Sequence, residues 1–236
     1  MFRSEAPPSS RSSLARRSTV PPTWGRIGLA VLFLGSWGPV TPTPGVILAH
    51  PAPLAAGSDA GPDTVLVRIE TEFGPIVAEL YPDQAPLTVA NFLRYVDADA
   101  YRNARFHRTV REDNQPNDSV WIAVVQVGRD PETQGDPSFP AIPLERTSET
   151  GLRHVDGSLS MARTGPDTGT WHFSIVIGEQ PEMDFGGRRQ PDGQGFAVFG
   201  RVIEGMDVVH HVHRSPAEGQ SLRPPVQIER IVRVGR

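Results

Sequence analysis

The sequence contains no cysteine and no lysine. Without cysteine there is no disulfide framework, no thiolate nucleophile and no thiolate metal site. Without lysine, Schiff-base chemistry and the P-loop lysine are excluded. All 23 basic residues are arginine. Also missing are Gly-x-Ser-x-Gly, His-Glu-x-x-His, a Walker A motif, and Gly-x-Gly-x-x-Gly between a strand and a helix. The apolar run at 27–40 falls short of the roughly 20 residues that span a bilayer comfortably.

Proline and glycine are abundant instead, at 24 and 23 of 236 residues. Both break helices, which argues against an all-helical bundle. An apolar content of 38% is too high for a disordered chain. Ten prolines fall in residues 1–63 and fourteen in 64–236, so the first quarter is a different material. Residues 1–26 carry five arginines, Arg3, Arg11, Arg16, Arg17 and Arg26, against Glu5 alone. A basic stretch followed by a short apolar one reads as an export signal over 1–40. Residues 41–63 are rich in Pro, Ala and Gly and read as a linker. The mature protein is then expected to be periplasmic or secreted, with no stable membrane span; the alternative is a membrane anchor through the N-terminal segment. The part beyond residue 63 is net acidic, with 18 arginines and 24 acids, which argues against a nucleic-acid partner.

Ordered patterning occupies 64–236. Val65, Val67 and Ile69 alternate with Leu66, Arg68 and Glu70, a period-two strand, and 64–81 reads as a hairpin. Val89, Phe92, Leu93 and Val96 lie at i, i+3, i+4 and i+7, one stripe of a helix opened by Asp83 and Pro86. Further strands are expected at 104–110, 120–127, 158–162, 173–177, 196–203 and 226–234, with a second helix at 206–212. This is a mainly β fold: about eight short strands closing into an antiparallel barrel capped by two helices. His210, His211 and His213 sit on the second helix; no carboxylate recurs nearby at ligand spacing, so they read as a solvated face, and no metal is expected.

A set of ordered segments runs through this part. Glu70-Thr71-Glu72-Phe73-Gly74-Pro75-Ile76 is followed by Ala85-Pro86-Leu87-Thr88-Val89-Ala90-Asn91-Phe92 and Phe106-His107-Arg108. Then come Val125-Gln126, Gly157-Ser158-Leu159-Ser160-Met161-Ala162, Phe173-Ser174-Ile175 and Phe196-Ala197-Val198-Phe199-Gly200. In this order they resemble the cyclophilin family of peptidyl-prolyl cis-trans isomerases, over about residues 64–236, and in kind the exported bacterial members. The family's fold is an eight-stranded antiparallel barrel with two capping helices, which agrees with the independent strand count.

The resemblance implies rotation of X-Pro bonds in proline-containing client polypeptides, and so assistance to folding. No cofactor is implied, and a monomer is expected. Arg108 matches the catalytic arginine, and Gln126 the glutamine that orients it and contacts the substrate backbone. Phe106, Ala123, Val124, Ala162, Arg163, His172, Ser174, Met183 and Phe196 stand at substrate-binding positions. Several depart from the family pattern. Ala123 and Val124 replace Phe-Met, Arg163 replaces Asn, His172 replaces Gln, and Ser174 replaces a Phe of the proline pocket. The stretches 111–119 and 187–195 look inserted, the first as a polar surface turn. A pocket wider, shallower and more polar than usual is expected. The alternative reading is a peptide-binding module with weak or no catalysis.

Overall fold

Seven residues of alternating polarity start the barrel. In β1 (Val65–Thr71) Val67 and Ile69 are buried and Arg68 is exposed. β2 (Gly74–Leu80) returns antiparallel, with Ile69 opposite Ile76. The turn between them needs Gly74, whose φ is +121°. It is fastened by Thr71, whose hydroxyl donates to the Gly74 carbonyl at 2.6 Å and accepts from the Phe73 N–H at 3.2 Å.

The computed structural model describes residues 65–115, 120–128 and 139–235. The expected signal segment 1–40 and the expected linker 41–63 lie outside the described residues, as do 116–119 of the expected inserted turn. The other strands and α-helices are α1 (Pro86–Asp97), β3 (Arg105–Val110), β4 (Val124–Gly128), α2 (Thr147–Thr150), β5 (Ser158–Met161), β6 (Phe173–Val176), β7 (Ala197–Glu204), α3 (Met206–Arg214), β8 (Ala217–Glu218) and β9 (Ser221–Val234), with 3-10 turns at Glu112–Asn114 and Pro181–Met183. The strands pair in the order β1-β2-β7-β5-β6-β4-β3-β9-β8, and β1 also pairs with β9. That last pairing closes the sheet into the expected antiparallel barrel. The two-residue β8 is appended to β9, and α2 is a single extra turn beyond the two expected helices.

The helices plug the barrel. α1 begins with Pro86 in its first turn, a position whose N–H has no helical partner anyway. Its N-cap residue, Ala85, supplies no cap. Glu145, far away in sequence, supplies it instead. Its carboxylate accepts from the Leu87 N–H at 2.9 Å, the Thr88 N–H at 2.7 Å and the Thr88 hydroxyl at 2.6 Å. The stripe of Val89, Phe92, Leu93 and Val96 is buried. Phe92 meets Phe199, Phe173 and Tyr101 at ring distances of 5.2, 5.3 and 5.5 Å. α3 packs against β2, β3 and β4 through Val208, Val209 and Val212. At its start, Gly205 has φ +88°, and a side chain there would lie 2.5 Å from the Pro75 carbonyl oxygen.

Three expectations are corrected. The strand expected at 120–127 begins only at Val124. Upstream, the side-chain amide of Gln115 takes the backbone groups of Ile122, donating to its carbonyl at 2.9 Å and accepting from its N–H at 3.3 Å. Gln115 thus replaces a strand neighbour and is buried, so residues 111–115 are knitted into the barrel. The last strand starts at Ser221, not 226. Pro224 and Pro225 argue against a strand, yet they fall where the β3–β9 ladder skips from Phe106↔Val226 to Arg108↔Ser221. The histidine face of α3 is only partly solvated. His213 donates through Nε2 to the Val110 carbonyl at 3.0 Å, and burial lowers its pKa.

Candidate active site

Strand register lines up four polar residues on the outer face of the barrel. Arg108 pairs with Gln126, Gln126 with Ser174, and Ser174 with Ser160. Between them, Val125, Val127, Phe173, Ile175, Leu159 and Met161 point into the core, as alternation requires. Arg108 donates from Nη1 to the Gln126 Oε1 at 3.0 Å. Burial, and behind it the neighbouring Arg189 charge, pulls the Arg108 guanidinium down from its ordinary range. A cation held partly out of water is a strong, directed hydrogen-bond donor.

Phe106 requires a correction. Residues i and i+2 of a regular strand share a face, so Phe106 and Arg108 would both face the groove. A β-bulge at this point shifts the register, setting Phe106 opposite Val127 and Arg108 opposite Gln126. Phe106 is fully buried in the barrel core, on the face opposite Arg108. The bulge holds His107, whose enclosed Nδ1 has no hydrogen-bond partner among the described residues. Burial first, then repulsion from His172 and Arg108, lowers the His107 pKa to about 4.

Beside Arg108 lies a second, smaller apolar cluster. It unites Val124 and Met183 with Val110, Ile122 and Val176, and Phe196 packs against it half-buried. Ala123 precedes it, with its carbonyl accepting from the Ile177 N–H at 2.9 Å. The ring of Phe196, not that of Trp171, supplies the aromatic surface here; Trp171 lies in the main core and stacks on His172 at 3.8 Å. On the other side of Gln126 a groove of about 300 Å³ is lined by Ala162, Arg163, His172, Thr164, Thr168 and Thr170.

A family model described as cyclophilin type peptidyl-prolyl cis-trans isomerase/CLD matches residues 66–234. The chain belongs to that family. A peptidyl-prolyl cis-trans isomerase of Acinetobacter baylyi is 33% identical over 172 residues, 72% of this chain and 84% of that protein. Peptidyl-prolyl cis-trans isomerase B of Escherichia coli is 31% identical over 157 residues, 66% of this chain and 88% of that protein. Among solved structures, a cyclophilin-type isomerase of Cryptosporidium parvum superposes with a TM-score of 0.58 at 23% identity. That match covers 73% of this chain and 99% of the other, and it shows the shared fold.

Within this cyclophilin barrel, Arg163 does not spend its charge on the pocket. Its guanidinium pairs with Asp192 on two bonds, of 2.7 and 2.8 Å, and its Nε donates to the Gly195 carbonyl at 2.6 Å. It also lies 5.3 Å from the Phe196 ring centroid. The Arg163 hydrogen bond, reinforced by the Gln194 N–H, holds the Asp192 carboxyl down at about 2. Asp192 lies in 187–195, the stretch expected to be inserted, so Arg163 finds its partner there.

Two features had no clear signal in the sequence. One is a buried chain in which the Ser160 hydroxyl meets His154 Nε2 at 2.9 Å and His154 Nδ1 meets Asp184 at 2.7 Å. The three residues are 1, 2 and 4% exposed, which seals this Ser-His-Asp arrangement from any substrate. Its role is to anchor Asp184, next to Met183 of the apolar cluster. Burial works to raise the Asp184 pKa, but the bonds from His154 and Arg153 outweigh it and lower it. The other is Gln220, which meets Arg108 in the turn between β8 and β9. A glutamine after a turn glycine has no motif to mark it.

Proposed function

We propose that this chain is a peptidyl-prolyl cis-trans isomerase in which Arg108 is the catalytic group. The barrier to X-Pro rotation is about 18–20 kcal/mol and arises from amide resonance. Rotation turns the proline nitrogen from planar to pyramidal and returns its lone pair. A guanidinium N–H aimed at that nitrogen binds the twisted state better than the planar one, which lowers the barrier. Arg108 meets these requirements as a charged, partly desolvated donor fixed on the outer face of the barrel. Gln126 holds it on one side and offers its amide to the client backbone. The cluster of Val124, Met183 and Phe196 supplies an apolar surface for the proline ring, with Ala123 and Ser174 beside it. Ala162, Arg163 and His172 border the groove that takes neighbouring client residues. No bond is made or broken, and clients leave unchanged in sequence.

The observation that carries this reading is the Arg108–Gln126 contact of 3.0 Å beside the apolar cluster. The test is a protease-free NMR exchange measurement on an X-Pro peptide. Arg108→Ala is expected to reduce catalysis about 10²–10³-fold, the loss typical of removing one transition-state donor. Wild-type rates equal to buffer would leave the second reading, a peptide-binding module. That reading is favoured by Ser174, which offers a hydroxyl where a large ring would grip proline.

The basic and apolar order of residues 1–40 further supports export, with the linker 41–63 separating signal from barrel and a periplasmic or secreted mature protein of the bacterial kind. N-terminal sequencing of the protein purified from its native host tests this; an intact Met1 on a cytoplasmic protein refutes it.

A further inference from the structure

Arg108 is held on two edges, and Gln126 accounts for only one of them. We infer that Gln220 is a positioning residue for the isomerase reaction, fixing the Arg108 guanidinium in its working orientation. The inference rests on Arg108 being the catalytic group.

The geometry is specific. The Gln220 Oε1 accepts from Arg108 Nε at 3.0 Å and from Nη2 at 2.6 Å. A guanidinium has five N–H donors in a rigid plane. Gln220 takes two along one edge, and Gln126 takes one on Nη1. One N–H on each terminal nitrogen remains for a client. Pinned on both sides, the plane loses its freedom to rotate before substrate arrives, which is the condition for full electrostatic benefit in the twisted state.

The amide of Gln220 is oriented by its surroundings. Its Nε2 donates to the Asn114 carbonyl at 3.2 Å. A carbonyl only accepts, so Nε2 must face Asn114 and Oε1 must face Arg108. Asn114 is fixed in turn. Its Nδ2 donates to the carbonyls of Thr109 and Gly219, both at 3.0 Å, and its Oδ1 accepts from the Arg111 N–H at 2.7 Å. The Gln220 backbone is tied as well, its carbonyl accepting from the Thr109 N–H at 2.9 Å. Asn114 lies in 111–115, the described part of the stretch expected to be an inserted turn, and acts on the site from behind Arg108 through one amide. Gln126 and Gln220 are both neutral, so the guanidinium is oriented with its charge intact, where a carboxylate would orient it and cancel the charge.

The test compares full-length wild type with Gln220→Ala, Gln220→Glu and Arg108→Ala. Exchange NMR on an X-Pro peptide gives kcat and KM, and the Arg108 Nε–H cross-peak reports the hydrogen bond. Gln220→Ala is expected to lower kcat about tenfold with KM within about twofold, as misorientation of a catalytic group does. Its Arg108 Nε–H should move toward the solvent-exposed position. Gln220→Glu, which keeps an acceptor of the same length, should return that cross-peak to the bonded position. If Gln220→Ala does not fold, Gln220→Met, equally long and without an acceptor oxygen, is read in the same way. Two outcomes overturn the inference: wild-type kcat in Gln220→Ala while Arg108→Ala is inactive, or a kcat loss with the Arg108 cross-peak unmoved. Wild-type activity in Arg108→Ala overturns the assignment of Arg108 instead.

Discussion

Arg163 and Asp192 face each other fork to fork, with the arginine side chain 1% exposed and the aspartate at 31%. The pair anchors the stretch 187–195 to the chain just after β5. Removing the acid strands a buried cation, whereas removing both partners leaves no unpaired charge. Asp192→Ala is expected to lower Tm clearly, and Arg163→Ala/Asp192→Ala to recover part of that loss. A double-mutant cycle by thermal denaturation measures the coupling; additive losses would mean the latch is idle. The same pair sets an acid limit. Asp192 titrates near 2 when folded, against 3.8 ordinarily. Its contribution is therefore complete above about pH 4 and is lost as pH falls through 2. Asp192→Asn should flatten stability across that window.

His107 gives a second pH dependence, nearer neutrality. Its folded pKa of about 4 lies below the ordinary 6.5. Between those values the unfolded chain binds the proton and the folded chain resists it. Stability is thus full above pH 6.5 and declines as pH falls through 4, by on the order of 3 kcal/mol. His213, lowered in the same direction, adds to the slope. Urea denaturation at pH 7 and pH 4.5 should show the decline, and His107→Gln should remove most of it. Equal slopes in the two proteins would place the titration elsewhere.

Phe196 is the large ring of the apolar cluster. Truncation to alanine removes apolar contact surface for proline, a loss of about 1.5–3 kcal/mol for a fully buried side chain and less for this half-buried one. Phe196→Ala should raise KM for an X-Pro peptide about tenfold, with kcat changed less than KM. An unchanged KM would remove Phe196 from the client surface.

Glu145 caps α1 from outside the helix. Glu145→Ala leaves the Leu87 and Thr88 N–H groups without their acceptor and should destabilise the barrel by about 1–2 kcal/mol. Equilibrium urea unfolding reads this directly. Glu145→Gln, which keeps one acceptor oxygen, should fall between the two.

Much of the fold was legible because a barrel strand must alternate. Val67, Ile69 and the stripe of α1 announced their buried faces, and the Phe-His-Arg motif marked Arg108. Phe106 was misread because the bulge beside it reverses the alternation, and a bulge is set by partner strands. Arg163 was read as adding polarity to the pocket, since nothing in the local sequence ties it to Asp192. Gln220 was missed because its meaning comes from a hairpin folding beside β3, more than a hundred residues away from Arg108. The prolines at 224 and 225 hid the start of β9, since only the ladder reveals that they occupy its gap.

The pairing of β1 with β9 has a consequence for how the molecule is made. Ile69 of the first strand sits opposite Ile231 of the last. Synthesis delivers β1 well before β9, so the ring of strands stays open, with two unpaired edges, until β9 arrives. Contacts that distant in sequence close slowly and leave sticky edges exposed in the meantime. Nascent chains stalled before residue 221 should therefore be protease-sensitive throughout and prone to associate, and they should gain resistance in one step once β9 is free to dock.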